Sequence, residues 1–229
     1  NYRIRIKIPP PVSFRKSFTI SEILIATVII GIIAVITVPL IYTNYIKEVT
    51  VQKLKKGFAS VCDIVKLSEL DNGPLKDWEF DTAYNQNGVD SDFFKKYFEP
   101  YIIGTKKYGA HSPDRVEYPV NNIDGQRANN ILVWYVLSDG TGLTMFSGGI
   151  NYCWILIDIN ASKHPNRLGK DIFILDIYRN GKVRFWGDTN YASSTVFPCK
   201  KGTGIQYAGA TCGAWIQAVG WKIPDNYPW

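Results

Sequence analysis

Four oxygen-bearing side chains are the best candidates for metal chemistry in this sequence. Asp158, Asn160, Asn166 and Asp171 fall within 14 residues, between two segments with strand-like patterns. Ca²⁺ takes roughly six to eight oxygen ligands, which Asp and Asn supply, but the spacing is not that of an EF-hand loop. Asp and Asn between two strands more often form turns. Calcium is therefore the one cofactor that the sequence raises, and a turn is the favoured alternative.

The cysteines offer disulfide or metal chemistry. Cys199 and Cys212 are 13 residues apart in a Gly-rich segment, a loop that a disulfide can close. Such a bond implies an oxidising compartment. Zinc is the alternative, but no CxxC motif is present. Cys62 and Cys153 could bridge a helix to a sheet or remain two buried thiols, and the sequence favours neither.

Catalysis is not expected. His111 and His164 lie in predicted loops, without ligand spacing or a recognisable Ser or Cys partner. The Gly202-Thr203-Gly204 segment lacks the further Gly and the strand-to-helix setting of a phosphate-binding loop.

The positive charge is concentrated at the N-terminus. The chain of 229 residues has a net charge of +6, and residues 1–17 contain five basic and no acidic residues. The remainder is near neutral at +1, which gives little attraction for phosphate backbones. Nucleic acid is therefore not an expected partner except in a DNA-uptake role, and the basic segment favours a cytoplasmic leader before a membrane span.

A long uncharged stretch follows the leader. The 24 residues between Glu22 and Lys47 carry no charge, and a helix needs about 20 apolar residues to cross a bilayer. A cleaved secretory signal is the alternative, but this run is too long and no small-x-small site closes it. Pro39 lies inside the run and should kink the helix or loosen its preceding turn.

The helix should continue beyond the span. Apolar residues recur at helical spacing at Leu54, Phe58, Val61 and Val65, and the pattern ends at 71–74, Asp-Asn-Gly-Pro. We therefore divide the chain into a leader at 1–17, a transmembrane helix at 18–46, its amphipathic continuation at 47–73 and a globular head at 74–229.

The head combines a little helix with antiparallel strands. Residues 91–98 predict a capped helix that ends before Pro100, and 102–130 resemble a long loop. Strands at 131–138, 142–147, 152–159, 172–178 and 182–186 include two hairpins, at Asp139-Gly140 and at 179–181, and suggest a meander. A short helix is expected at 214–220. The fold class is α+β, with a long N-terminal helix packed on an antiparallel sheet.

The N-terminal junction resembles that of type IV prepilins and type II secretion pseudopilins. The residues that carry the resemblance are Lys16-Ser17-Phe18-Thr19-Ile20-Ser21-Glu22, followed by the apolar run and Pro39. The resemblance implies a pilin-like fold, prepilin-peptidase cleavage between Ser17 and Phe18 and methylation of the new amine. It also implies that Glu22 pairs with the amine of a neighbouring subunit and that Pro39 kinks the helix.

Two positions depart from the family pattern. Ser17 stands where Gly is usual, which could slow cleavage, and Ser21 stands where an apolar residue is common. The alternative for Glu22 is an interfacial residue of an ordinary anchor. Residues 157–173 resemble a segment of some pilin-like heads, with Ala161 in place of the usual Gly, and a C-terminal disulfide loop is also pilin-like.

The resemblance implies a filament subunit for secretion, adhesion, motility or DNA uptake. Its partners would be like subunits, prepilin peptidase and the inner-membrane assembly machinery. It would span the bacterial inner membrane once, with the head outside the cytoplasm, and then enter an extracytoplasmic filament. The alternative is a lectin-like anchored binding module that uses the C-terminal aromatic residues. Contacts in the core or between subunits are the favoured role for these residues: Trp186, Tyr191, Trp215, Trp221, Tyr227 and Trp229.

Overall fold

A computed structural model describes most of the chain in two units. The described residues are 18–82, 84–85, 91–103, 106–109, 118–131, 133–161, 163–187 and 194–229. Contacts within the chain divide it into 1–45 and 46–229. The first helix, α1, runs from Ile20 to Asn72 and so belongs in part to each unit.

The first unit consists, as far as it is described, of the apolar part of α1. Its large apolar side chains are exposed, with Val35 at 75% and Ile41 at 68% of full exposure. The helix is unbroken at Pro39. The Thr37 and Thr43 hydroxyls donate to the carbonyl groups of Ile33 and Pro39, so these polar groups are satisfied within the helix. A helix that exposes apolar side chains all round requires lipid or protein around it.

The described part of the second unit contains the rest of α1, two short α-helices and nine strands. Helix α2 spans Asp92–Tyr97 and α3 spans Cys212–Ala218. The strands are β1 Tyr84–Asn85, β2 Lys106–Gly109, β3 Tyr118–Asn121, β4 Arg127–Ile131, β5 Val133–Val136, β6 Gly142–Gly148, β7 Tyr152–Asp158, β8 Ile172–Tyr178 and β9 Lys182–Phe185. This is the α+β class that the sequence predicts.

Seven of the described strands form one antiparallel sheet. Its order is β2-β5-β6-β7-β8-β9, with β1 also paired to β6, while β3 and β4 form a separate ladder. Strands β5 to β9 follow one another, which confirms the predicted meander. The two predicted hairpin turns connect β5 to β6 and β8 to β9, with Gly140 and Gly181 both at positive φ.

The register sorts the side chains of the sheet onto two faces. On one face, Leu143 of β6, Ile157 of β7 and Phe173 of β8 are opposite one another and fully buried. The second half of α1 covers this face with its apolar stripe, in which Leu54, Val61 and Val65 are buried and Phe58 is half-buried.

Gly57 allows α1 to approach the sheet closely. A Cβ atom there would lie 3.2 Å from Cδ1 of Ile157 on β7. Contacts of 3.0–3.4 Å are tighter than most real Cβ contacts, so a side chain would displace its neighbour. Lys56 also forms an ion pair with Asp139 at 3.4 Å, between α1 and the β5–β6 turn.

The opposite face of the sheet has a smaller core. Trp134, Leu156 and Ile172 lie on it and pack with Val120 of β3 and Leu168. One prediction for the head was wrong: the stretch 102–130 is not a long loop, because β2, β3 and most of β4 lie within it. The short helix predicted at 214–220 is present, at Cys212–Ala218.

The loop prediction failed because these strands have few apolar residues. Strand β2 reads Lys-Lys-Tyr-Gly and β4 reads Arg-Ala-Asn-Asn-Ile. They form through backbone pairing with β5 and β3, which composition does not reveal.

Candidate functional site

The first turn of α1 holds the acidic residue that the sequence singled out. Thr19 donates to Glu22 Oε2 from its backbone nitrogen at 2.7 Å and from its hydroxyl at 2.8 Å. The Glu22 N–H donates to Thr19 Oγ1 at 3.3 Å. This is a capping box, in which side chains three residues apart satisfy the free N–H groups of a helix start. Its signal, Thr-x-x-Glu, is visible in the sequence, but sequence reasoning missed it.

The other residues of the predicted cleavage and assembly segment are placed as follows. Phe18 precedes the helix and is 80% exposed. Ser17 lies outside the described residues. Pro39 lies within α1, 21 residues after Phe18. The geometry therefore places an exposed Phe18 next to a capped helix start, and it leaves the role of Glu22 between subunits a prediction.

The predicted disulfide is present. Cys199 and Cys212 are bonded, and Cys212 begins α3 while Cys199 belongs to the irregular segment that precedes it. Gly169 packs directly against this bond, because a Cβ atom there would lie 2.6 Å from Cys212 Sγ. The disulfide thus closes the C-terminal segment on itself and packs against the loop before β8.

Cys62 and Cys153 are free thiols, which is one of the two alternatives that the sequence left open. Cys153 lies on β7 and is buried, and desolvation raises the pKa of its thiol far above the ordinary value. Cys62 lies on α1, where partial burial also raises the pKa of its thiol. Neither environment favours the reactive thiolate.

The four calcium candidates lie around one loop between β7 and β8. Asp171 is at its centre: Oδ2 accepts the N–H of Asn166 at 2.8 Å and Oδ1 accepts the N–H of Arg167 at 2.6 Å. Asp158 Oδ1 accepts the N–H of Asn160 at 2.9 Å. Asp158, Asn166 and Asp171 are all buried.

These bonds support the turn interpretation of the loop. Burial raises the pKa of the Asp171 carboxyl, although the N–H groups of Arg167 and Asn166 act to lower it. The carboxylate oxygens are directed at backbone donors within the loop. Among the described residues, no group of three or more His, Cys, Asp or Glu side chains is arranged to hold a metal ion. Calcium stays a prediction.

The loop also shows the consequence of having Ala161 where the resembling segment usually has Gly. This residue has a φ of +51°, in the left-handed region that Gly adopts without cost. The Gly that is usual in the resembling segment thus corresponds to a backbone requirement here, and Ala161 meets it with strain. Asn166 has a φ of +52°, which Asn tolerates better than most residues.

Most of the C-terminal aromatic rings pack on one another or on the core. Trp221 contacts Phe58 of α1 with ring centroids 6.0 Å apart, and Trp215 contacts Tyr227 at 5.6 Å. Tyr227 is buried, donates its hydroxyl to the Gly169 carbonyl and packs beside Trp229. Core packing, one of the two favoured roles, therefore holds for Trp215, Trp221, Tyr227 and Trp229. Tyr191 lies outside the described residues.

Trp186 is different, because it lines a cavity on the face of the sheet opposite α1, together with Trp154 and Tyr207.

Of the two histidines that the sequence offered as candidates, His164 is exposed in the β7–β8 loop and His111 lies outside the described residues.

The described architecture defines a class: an α+β head that contains a disulfide, preceded by one helix long and apolar enough to cross a membrane. The chain belongs to a protein family of unknown function, DUF6613, whose model matches residues 40–229. The match covers the head and the second half of α1. No curated protein and no solved structure matches the chain.

Proposed function

We propose that this chain is a pilin-like structural subunit. It inserts with its leader in the cytoplasm, is cut by prepilin peptidase between Ser17 and Phe18, and assembles into a type IV pilus or a type II secretion pseudopilus. Its work is mechanical rather than catalytic. The observation that carries the proposal is an apolar helix with exposed side chains and one carboxylate, Glu22, in its first turn.

The physical chemistry of that helix supports assembly. Its apolar side chains are stable in lipid, and after extraction from the membrane they require other apolar helices around them. Glu22 is at the edge of the apolar run, where a carboxylate costs less than at the bilayer centre, but within the described chain its bonds are to Thr19 and not to a positive charge. A positive amine on Phe18 of the next subunit would neutralise it. The proposed partners are therefore copies of this chain or similar subunits, with peptidase and assembly machinery in the inner membrane.

Mass spectrometry of the mature N-terminus tests the processing step. In cells that contain a prepilin peptidase, we expect a chain that begins at a methylated Phe18. Ser17→Gly should accelerate cleavage, because Gly is usual before the cut, and Ser13→Gly is the matched control within the same leader. An intact leader on surface-exposed protein would contradict the proposal.

Filament yield tests the assembly step. Glu22→Ala should leave membrane insertion intact and lower the amount of protein in sheared filaments. Glu48→Ala is a matched control, since Glu48 is exposed just beyond the apolar run. An equal yield from the Glu22 variant would remove the pairing role from the proposal.

The second candidate function is a membrane-anchored binding module. The observation that favours it is the aromatic cavity on the sheet. Under this candidate the leader is retained and the protein stays in the membrane fraction, so the same N-terminal measurement distinguishes the two.

A further inference from the structure

A cavity of about 220 Å³ lies on the face of the sheet opposite α1. Five aromatic rings line it, those of Phe146, Trp154, Trp186, Phe197 and Tyr207. Two aliphatic side chains from β7 and β8 complete its floor. These lining residues belong to the sheet and to the C-terminal segment, so a ligand in the cavity is independent of the filament proposal.

The sheet register builds the floor of the cavity. Phe146 of β6 is opposite Trp154 of β7, and Leu156 of β7 is opposite Ile174 of β8. Because side chains two residues apart share a face, Trp154 and Leu156 lie on the same side of β7. The floor therefore rests on the central strands of the sheet.

The wall of the cavity is joined to the floor, because the Trp186 N–H donates to the Ile174 carbonyl at 3.0 Å. Phe197 lies between two rings, 5.0 Å from the ring centroid of Trp186 and 5.3 Å from that of Tyr207. The Phe197 carbonyl accepts bonds from the N–H and hydroxyl of Thr211, at 3.4 Å and 3.3 Å. The disulfide lies next to these hydrogen bonds along the chain, because Cys199 is two residues after Phe197 and Cys212 directly follows Thr211. The cavity is thus formed before any ligand arrives.

The lining chemistry restricts the ligand. Among the described residues, no carboxylate and no cation lines the cavity, and the lining side chains that carry any polar atom are those of Trp154, Trp186 and Tyr207. A sugar would leave several hydroxyls without partners, at a cost in desolvation. Organic cations bind aromatic boxes, but the described residues of this lining supply no counter-charge.

We propose that the cavity binds a small neutral aromatic molecule of one or two fused rings, of the size of indole. An apolar cavity of about 150 Å³ stays dry and binds benzene, so a somewhat larger cavity suits a somewhat larger ring. The ring would stack against Trp154 and Trp186.

Binding of 5-fluoroindole to the full chain in lipid nanodiscs tests the proposal by ¹⁹F NMR, with empty nanodiscs as the blank. We expect saturable binding with a dissociation constant below about 1 mM, given the affinity that some ten heavy atoms supply. Choline and methyl glucoside should not displace the probe. Displacement by either, or a signal equal to that of empty nanodiscs, would overturn the assignment.

Variants locate the site. Leu156→Trp fills the cavity from its floor and should abolish binding. Phe197→Ala removes one wall and should weaken binding at least tenfold, and it keeps the test valid if Leu156→Trp does not fold. Val196→Ala is the matched control, since Val196 is adjacent in the chain and 59% exposed, and it should bind as wild type. Equal affinity in the wild type and Phe197→Ala would place the probe elsewhere.

Discussion

Thr19 and Glu22 hold the first turn of α1 in a reciprocal pair. Thr19 donates twice to the Glu22 carboxylate, and the Glu22 N–H donates back to the Thr19 hydroxyl. Glu22 therefore has a local structural role whether or not it also meets a neighbouring subunit. The two roles make different demands, since capping needs an acceptor and pairing needs a negative charge.

Two substitutions separate capping from pairing. Glu22→Gln keeps a capping acceptor and removes the charge, whereas Thr19→Ala removes the cap and keeps the charge. If the charge acts between subunits, filament yield should fall in Glu22→Gln and stay near wild type in Thr19→Ala. Sheared-filament assays at equal membrane expression measure this. The reverse ranking would make helix capping the function of Glu22.

The disulfide should stabilise the head. Replacing both Cys199 and Cys212 by Ser frees a loop with a sequence separation of 13, which should lower the free energy of unfolding by about 3 kcal/mol. Denaturant unfolding followed by tryptophan fluorescence measures the change. Under reducing conditions, the wild-type protein should have the same free energy of unfolding as the variant. An unchanged midpoint in both would show that packing alone holds the C-terminal segment.

Because the backbone of Ala161 is strained, replacing this residue with Gly should not destabilise the protein. Ala161→Gly should leave stability unchanged or raise it by up to about 1 kcal/mol, because Gly adopts positive φ freely. Ala214→Gly in α3 is the control and should lose about 1 kcal/mol. Gly169→Ala should lose more than about 2 kcal/mol, because its Cβ would contact Cys212 and its φ is +80°. Thermal unfolding measures the stability of the three variants. If Ala161→Gly lowered stability as much as Ala214→Gly, the backbone of Ala161 would not be strained.

Asp139 should contribute to acid lability. Burial acts to raise its pKa, but the Thr141 N–H and Lys56 outweigh this and hold the pKa below its ordinary value of 3.8. For an acid with a lowered folded-state pKa, the stabilisation is present above the unfolded pKa and is lost as pH falls through the folded one. The free energy of unfolding should therefore differ less between pH 7 and pH 3 in Asp139→Asn than in the wild type, as denaturant unfolding at the two pH values would measure. A variant with the wild-type pH dependence would disprove this contribution.

The free thiols should differ in reactivity. Cys153 is 1% exposed, whereas Cys62 is only half-buried, so alkylation of the folded protein at pH 8 should modify Cys62 slowly and leave Cys153 unmodified. Peptide mass spectrometry before and after denaturation measures both sites. Rapid labelling of Cys153 in the folded state would show that local unfolding around β7 exposes this thiol to solvent.

The sequence by itself determined the features that depend on neighbours along the chain. The uncharged run predicted the apolar helix, the spacing from Leu54 to Val65 predicted the buried stripe of α1, and Ser91 predicted the cap of α2, whose hydroxyl accepts the Phe94 N–H. The hairpin turns and the Cys199–Cys212 bond were also visible. These are local signals, set by helical period, turn chemistry and short loop closure.

Only the tertiary structure decided what depends on residues far apart in the chain. Strands β2 and β4 form by pairing with partners, despite their polar sequences. That Cys62 and Cys153 are free is likewise visible only in the structure. The cavity brings Phe146 and Tyr207 together, which requires the sheet register and the disulfide-bonded segment at once. Long-range pairing and burial fix these features, and no periodicity in the sequence encodes them.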